Sequence, residues 1–229
     1  MKIRPIIASG LVLASFGLVA GCSSDSTSDA PSSSQVSVEE KSAEQVITET
    51  TNMINEATSA RVVTKLSDSA SQQAVDGTTV SSVLEGQFDD SSLLSDEVLG
   101  NGGHGQMIVI GQEYYVKFDA LALQASAALS SLPADTWVGP GALNASVNNA
   151  LASTRRTQML NAIQGSSFND VESITVDGKS QYRLVSSSNA ELTVDAETML
   201  PVSIQSSDGT TFETSQWNAI AAQTAPQVG

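Results

Sequence analysis

Imidazole and thiol, the groups most used to attack or ligate near neutral pH, are scarce in this chain of 229 residues, which carries one histidine and one cysteine. His104 lies in Gly100-Asn101-Gly102-Gly103-His104-Gly105, a match to the G-x-G-x-x-G spacing of dinucleotide-binding turns. Such a turn works only between a strand and a helix, whose N-terminus then faces the pyrophosphate. Residues 106–118 instead alternate in hydropathy and read as a hairpin, so the glycine run is predicted to be a plain turn. No second histidine can join His104 on a metal, and a glycine-rich loop holds a general base poorly. It is read as a solvated loop residue. Asp89-Asp90 and the pairs Asp76-Gly77, Asp177-Gly178 and Asp208-Gly209 lack the alternating oxygen ligands of a calcium loop. There is no nucleophile elbow and no Ser-x-x-Lys. Aromatics make up 4% of the chain, few for the stacking platforms of a sugar site. The reading is a protein that is not an enzyme, with no catalytic residue, metal or cofactor.

Charge narrows the partners further. Lys plus Arg number 10 against 25 Asp plus Glu, a formal net charge of −15. An acidic chain without a basic stripe holds no polyphosphate backbone, so no nucleic-acid partner is expected. Arg155-Arg156 is the only basic doublet. It reads as a solvated helix charge, with contact to acidic head groups as the alternative.

The cysteine is better placed than the histidine. Lys2 and Arg4 precede an apolar run from Ile6 to Ala20, too short to span a bilayer comfortably. The run ends in Leu18-Val19-Ala20-Gly21-Cys22, which resembles the bacterial lipobox. That resemblance implies a signal peptide over 1–21, cleavage before Cys22, and lipidation of the Cys22 thiol, with palmitate as a usual acyl group. Two acyl chains at about 0.8 kcal/mol per buried CH₂ make an anchor that does not exchange. The chain is thus expected at the extracytoplasmic face of the cell membrane, held there by lipid. Residues 22–38, nearly all Ser, Thr, Asp, Ala and Pro, bury little and read as a flexible tether of roughly 20–25 Å reach.

From Glu39 the composition turns globular. Val46, Ile47, Ile54 and Ala57 form a stripe at helical spacing with Met53 alongside, predicting a helix over Glu39–Ala57. Alternation predicts strands over Ala60–Leu66, Val80–Phe88, Ser92–Leu99, Gln106–Ile110 and Glu113–Phe118. Helical spacing returns over Ala120–Leu132 and Ala142–Ile163, with breakers at Pro133 and Gly139-Pro140-Gly141. Five more strands are predicted at Asn169–Val176, Ser180–Ser186, Ala190–Asp195, Pro201–Ser206 and Thr211–Trp217, with Asp-Gly turns between several of them. Helix, five strands, helices, five strands is the order of a largely antiparallel α+β domain, here residues 39–229.

Four segments in this order carry a resemblance. They are Ile108–Lys117, Leu132–Val138, Val171–Lys179 with Tyr182-Arg183, and Leu192–Val202, where Thr193 stands at a position often aromatic. Together with the lipobox they resemble the actinobacterial LppX/LprG-type lipoprotein family. The resemblance implies a LolA-like fold: a strongly curved antiparallel sheet, a half barrel, with helices closing its concave face. It also implies a hydrophobic cavity that binds acyl chains of a lipid or glycolipid and assists their transport, with a membrane transporter as a further partner.

Alternation places Val62, Leu66, Leu84, Phe88, Val116 and Phe118 on one inner face. If Leu143, Val147 and Leu160 face that sheet from the helices, the nine form an uncharged acyl-chain lining. The same residues could instead close an ordinary core. The alternative function is then a non-catalytic envelope interaction or regulatory lipoprotein without a lipid ligand.

Overall fold

Ser42 starts the first helix because its hydroxyl accepts from the Gln45 N–H while the Gln45 side chain accepts from the Ser42 N–H. This capping box satisfies two of the helix's orphan donors. Helix α1 runs Ala43–Glu56 and buries Val46, Thr50 and Ile54 along one stripe. The structure, a computed structural model, describes residues 40–74, 78–125, 127, 129–141 and 152–229. Val38–Gly229 forms one compact unit.

Ten strands follow: β1 Ser59–Lys65, β2 Thr79–Gln87, β3 Ser92–Leu99, β4 His104–Ile110, β5 Glu113–Phe118, β6 Phe168–Val176, β7 Lys179–Ser186, β8 Glu191–Asp195, β9 Pro201–Gln205 and β10 Thr211–Ser215. They pair antiparallel in one open sheet of order β5-β4-β3-β2-β1-β10-β9-β8-β7-β6. Two meanders are therefore sewn together by β1 against β10, with Val62 opposite Thr214. Turn chemistry sets the hairpins. Gly111 (φ 60°) closes β4 to β5, and Asp177 and Gly178 (φ 51° and 77°) close β6 to β7. Consecutive positive φ values are those of the primed turn that matches strand twist.

One row of paired residues crosses the sheet. Val171, Leu184, Leu192, Ile204, Phe212, Thr64, Ser82, Glu97, Gly105 and Phe118 stand opposite one another in sequence through all ten strands. Directly opposed residues share a face, so this row belongs to the concave side. A second row, Val62, Leu84, Ser95, Met107 and Val116, lies two residues along on that same side and is buried throughout. The opposite face carries ion pairs, Arg61 with Glu85 at 2.9 Å and Arg183 with Glu191 at 2.8 Å.

Helix α4, Ala152–Gln164, packs against α1, β2 and β9 and buries Ala152, Met159 and Ile163. Its first turn is held from the sheet: the Asp90 carboxylate, in the β2–β3 turn, accepts from the Ser153 N–H at 2.9 Å and from its hydroxyl. Two short helices, α2 Asp68–Gln72 and α3 Ala120–Gln124, complete the described elements. The tail beyond β10 is tied across the strand ends. Asn218 Oδ1 accepts from the Thr58 N–H, the Gln223 N–H donates to Ser92 Oγ, and the Gly229 N–H donates to the Trp137 carbonyl.

Several expectations need correction. The helix expected over Ala120–Leu132 ends at Gln124, and the described residues after it form turns. Alanine and leucine there satisfy helical propensity, but an element survives only where packing supports it. The last strand stops at Ser215, because Gln216 takes a φ of 52° that no strand continues. The helix expected over Ala142–Ile163 is described only from Ala152. Asp76-Gly77 lies outside the described residues.

Candidate functional site

The elements above place an apolar cluster between the concave face, α1 and α4. Val62 and Leu84 are fully buried in it, and Phe88 and Val116 nearly so. Phe118 and Leu160 are partly buried and pack against it. Phe118 covers Gly105, where a β-carbon would meet its ring at 2.9 Å. Leu66, just beyond β1, is half-buried. Leu143 and Val147 lie outside the described residues. Of the nine residues singled out from alternation and helical spacing, the six from the sheet share the parity of the concave rows.

A groove opens beside this cluster, at the end of the sheet where β8 turns into β9. Its volume is about 730 Å³, and Met53, Met199, Leu200 and Trp217 give it an apolar floor. Glu49, Asn52, Glu197, Thr198 and Asn218 form its polar border. Met199 belongs to the buried cluster, and Met53 and Trp217 pack against it, so the floor continues the core. Trp217 is held in place from both sides. Its Nε1 donates to the Pro201 carbonyl at 3.1 Å, and its ring meets Phe88 at 6.1 Å between centroids. The Arg156 guanidinium covers Phe88 at 5.1 Å. The turn behind the groove is an Asx turn, with Asp195 Oδ1 accepting from the Glu197 and Thr198 N–H groups.

None of the seven described residues among the nine lines this groove. Met199 has a φ of 56° in a tight turn, a place where sequence periodicity is silent. Trp217 reads as the end of a strand in the sequence, and its role emerges only from the turn at Gln216.

His104 opens β4 opposite Val98, on the convex face. Its side chain is 57% exposed, and Nδ1 lies 3.6 Å from Asp96. The glycines before it form the β3–β4 turn, where a β-carbon on Gly103 would strike the Ala122 backbone nitrogen at 2.4 Å. That close approach to α3 accounts for a glycine there without any phosphate. Among the described residues no group of three His, Cys, Asp or Glu could hold a metal ion. His104→Ala is expected to change unfolding free energy by less than about 0.5 kcal/mol. Thermal unfolding checks this; a drop of several degrees would assign the imidazole a structural role.

No family model and no curated protein matches the chain. Among solved structures, LprF from Mycobacterium bovis superposes on 82% of this chain and 97% of its own, with a TM-score of 0.53 at 12% identity. In fold, this chain is similar to LprF. LppX, a lipoprotein of Mycobacterium tuberculosis, aligns over 77% of this chain and 97% of its own, at 15% identity and a TM-score of 0.43. The LprF likeness agrees with the α+β class expected above: one large curved antiparallel sheet, not closed, with few helices.

Proposed function

We propose that this protein is a membrane-anchored, non-catalytic envelope lipoprotein that binds acyl chains of a lipid or glycolipid and assists their transport. The observation that carries this reading is the groove, whose apolar floor runs without a break into the cluster under α1 and α4. Its volume of about 730 Å³ falls in the range of about 300–1,000 Å³ usual for ligand sites. On this reading Met53, Met199, Leu200 and Trp217 admit the chain. Val62, Leu66, Leu84, Phe88, Val116 and Phe118 form the sheet-side wall, and Leu143, Val147 and Leu160 form the helix-side wall. The similarity in fold to LprF supports the architecture, and the resemblance noted in the sequence supports the ligand class.

Fluorescence tests it. Trp137 and Trp217 are the only tryptophans, so Trp137→Phe leaves Trp217 as the sole indole. A phosphatidylcholine with brominated acyl chains is expected to quench Trp217 strongly, whereas the unbrominated lipid is not. Equal emission with both lipids would remove the groove from the account.

The proposal extends to the N-terminus, with residues 1–21 a signal peptide, Cys22 lipidated, residues 22–38 a tether and 39–229 the binding domain. Cys22→Ala is expected to leave the precursor uncleaved and without acyl mass. An intact-mass spectrum of the wild-type protein showing a chain that starts at Cys22 without acyl groups would contradict this.

A further inference from the structure

The basic doublet is turned onto the concave face. Arg155 is half-buried on α4; its Nη2 donates to Ser82 Oγ at 2.9 Å and its Nη1 to Gln158 Oε1 at 3.0 Å. Its Nε is buried without a hydrogen-bond partner among the described residues. Ser82 stands between Thr64 and Glu97 in the ten-strand row. Thr64 Oγ1 is likewise buried and unpartnered. Two buried polar groups able to donate thus lie on, or over, one polar stretch of the concave face.

The carboxylate opposite Ser82, Glu97, is not hydrogen-bonded to Arg155 in the described structure. Glu97 Oε1 accepts from Ser95 Oγ at 3.1 Å and Oε2 accepts from Thr79 Oγ1 at 2.8 Å, so the carboxylate is oriented by hydroxyls and acts on Arg155 through space. Residues 142–151, which lead into α4, contain no Asp or Glu. Burial pulls the guanidinium's pKa below its ordinary value, and the charge of Glu97 acts through space in the opposite sense. A buried guanidinium N–H without an acceptor, here Nε, is costly, and the planar fork matches an anion with two or more oxygens.

We propose that Arg155, with Ser82 and Thr64, is the anchor for the phosphate of a phospholipid whose acyl chains occupy the apolar part of the same face. This rests on the acyl-chain reading above and adds the polar end of the ligand. The polar stretch from Thr64 to Glu97 then takes the head group, and the apolar residues beside it on the same face, Val62, Leu84, Val116 and Phe118 among them, take the chains.

The test uses delipidated full-length mature protein and two probes with the same acyl chains, NBD-labelled phosphatidic acid and NBD-labelled diacylglycerol. The wild-type protein is expected to prefer phosphatidic acid by about tenfold, the worth of one hydrogen bond to a charged group. Arg155→Gln is expected to bring the two affinities within about twofold of each other, by loss of affinity for phosphatidic acid. Glu97→Gln, which removes the competing charge, is expected to raise the preference severalfold. It decides the matter if the arginine variant fails to fold. No preference in the wild-type protein, equal loss of both probes in Arg155→Gln, or an unchanged preference in Glu97→Gln would overturn the assignment. Inorganic phosphate binding that depends on Arg155, without a preference between the lipids, would make the ligand a free anion and overturn it too. Failure of both probes to bind would instead overturn the acyl-chain reading, and this inference with it.

Discussion

Leu192→Ala is expected to lower the unfolding free energy by about 2–5 kcal/mol, the usual range for emptying a buried leucine position. Leu192 is fully buried, stands between Leu184 and Ile204 in the concave row, and belongs to the cluster closed by α1 and α4. Its neighbours are strand residues fixed on both sides by pairing, so they collapse poorly into the space left behind. The control is Val185→Ala, one residue beyond Leu184 on the other face and 38% exposed. That change is expected to stay within about 0.5 kcal/mol. Denaturant unfolding reads both, and an effect of Leu192→Ala no larger than that of Val185→Ala would mean that the row is not the core.

Gly86→Ala is expected to cost about 1–3 kcal/mol, although a single methyl on a strand is ordinarily tolerated. Gly86 lies opposite Leu93 in the β2–β3 pair, and a β-carbon there would sit 2.5 Å from the Leu93 Cβ and 3.1 Å from its Cα. Leu93 is itself fully buried and has no free direction in which to move. The clash is with Cβ and backbone, so Leu93→Ala in the same chain is expected to give no rescue. Full stability of Gly86→Ala, or recovery in the double variant, would show that the two strands separate more easily than their pairing implies.

How much of this could be read from residues alone depends on how local the cause is. Alternation through Val80, Ser82, Leu84, Gly86 and Phe88 places five residues on one face; the pairing of β2 with β1 and β3 agrees for Ser82, Leu84 and Gly86, while Val80 sits at a register shift against β3. The stripe Val46–Ile54 marks α1 because both its cap and its buried face lie within one segment. The seam between the meanders is different in kind. Thr58 meets Asn218 across 160 residues, and Asp90 fixes the start of α4 across 63. No local period encodes such partners. The groove escaped for the same reason, since α1, the β8–β9 turn and Trp217 come together only in the folded chain. Ser82 was visible on the inner face, but Arg155 above it becomes meaningful only once α4 crosses β2. Ala120–Leu132 shows the converse, where strong local propensity yields only the five residues of α3.

The central claim is that the folded body carries an acyl-chain ligand. It is tested most directly by purifying the protein from the envelope in which it is made, extracting it with organic solvent and weighing what is released. The account predicts a lipid in near-stoichiometric amount, reduced when Trp217 is replaced by alanine and retained in His104→Ala. A wild-type protein that is fully folded and releases no lipid would contradict it.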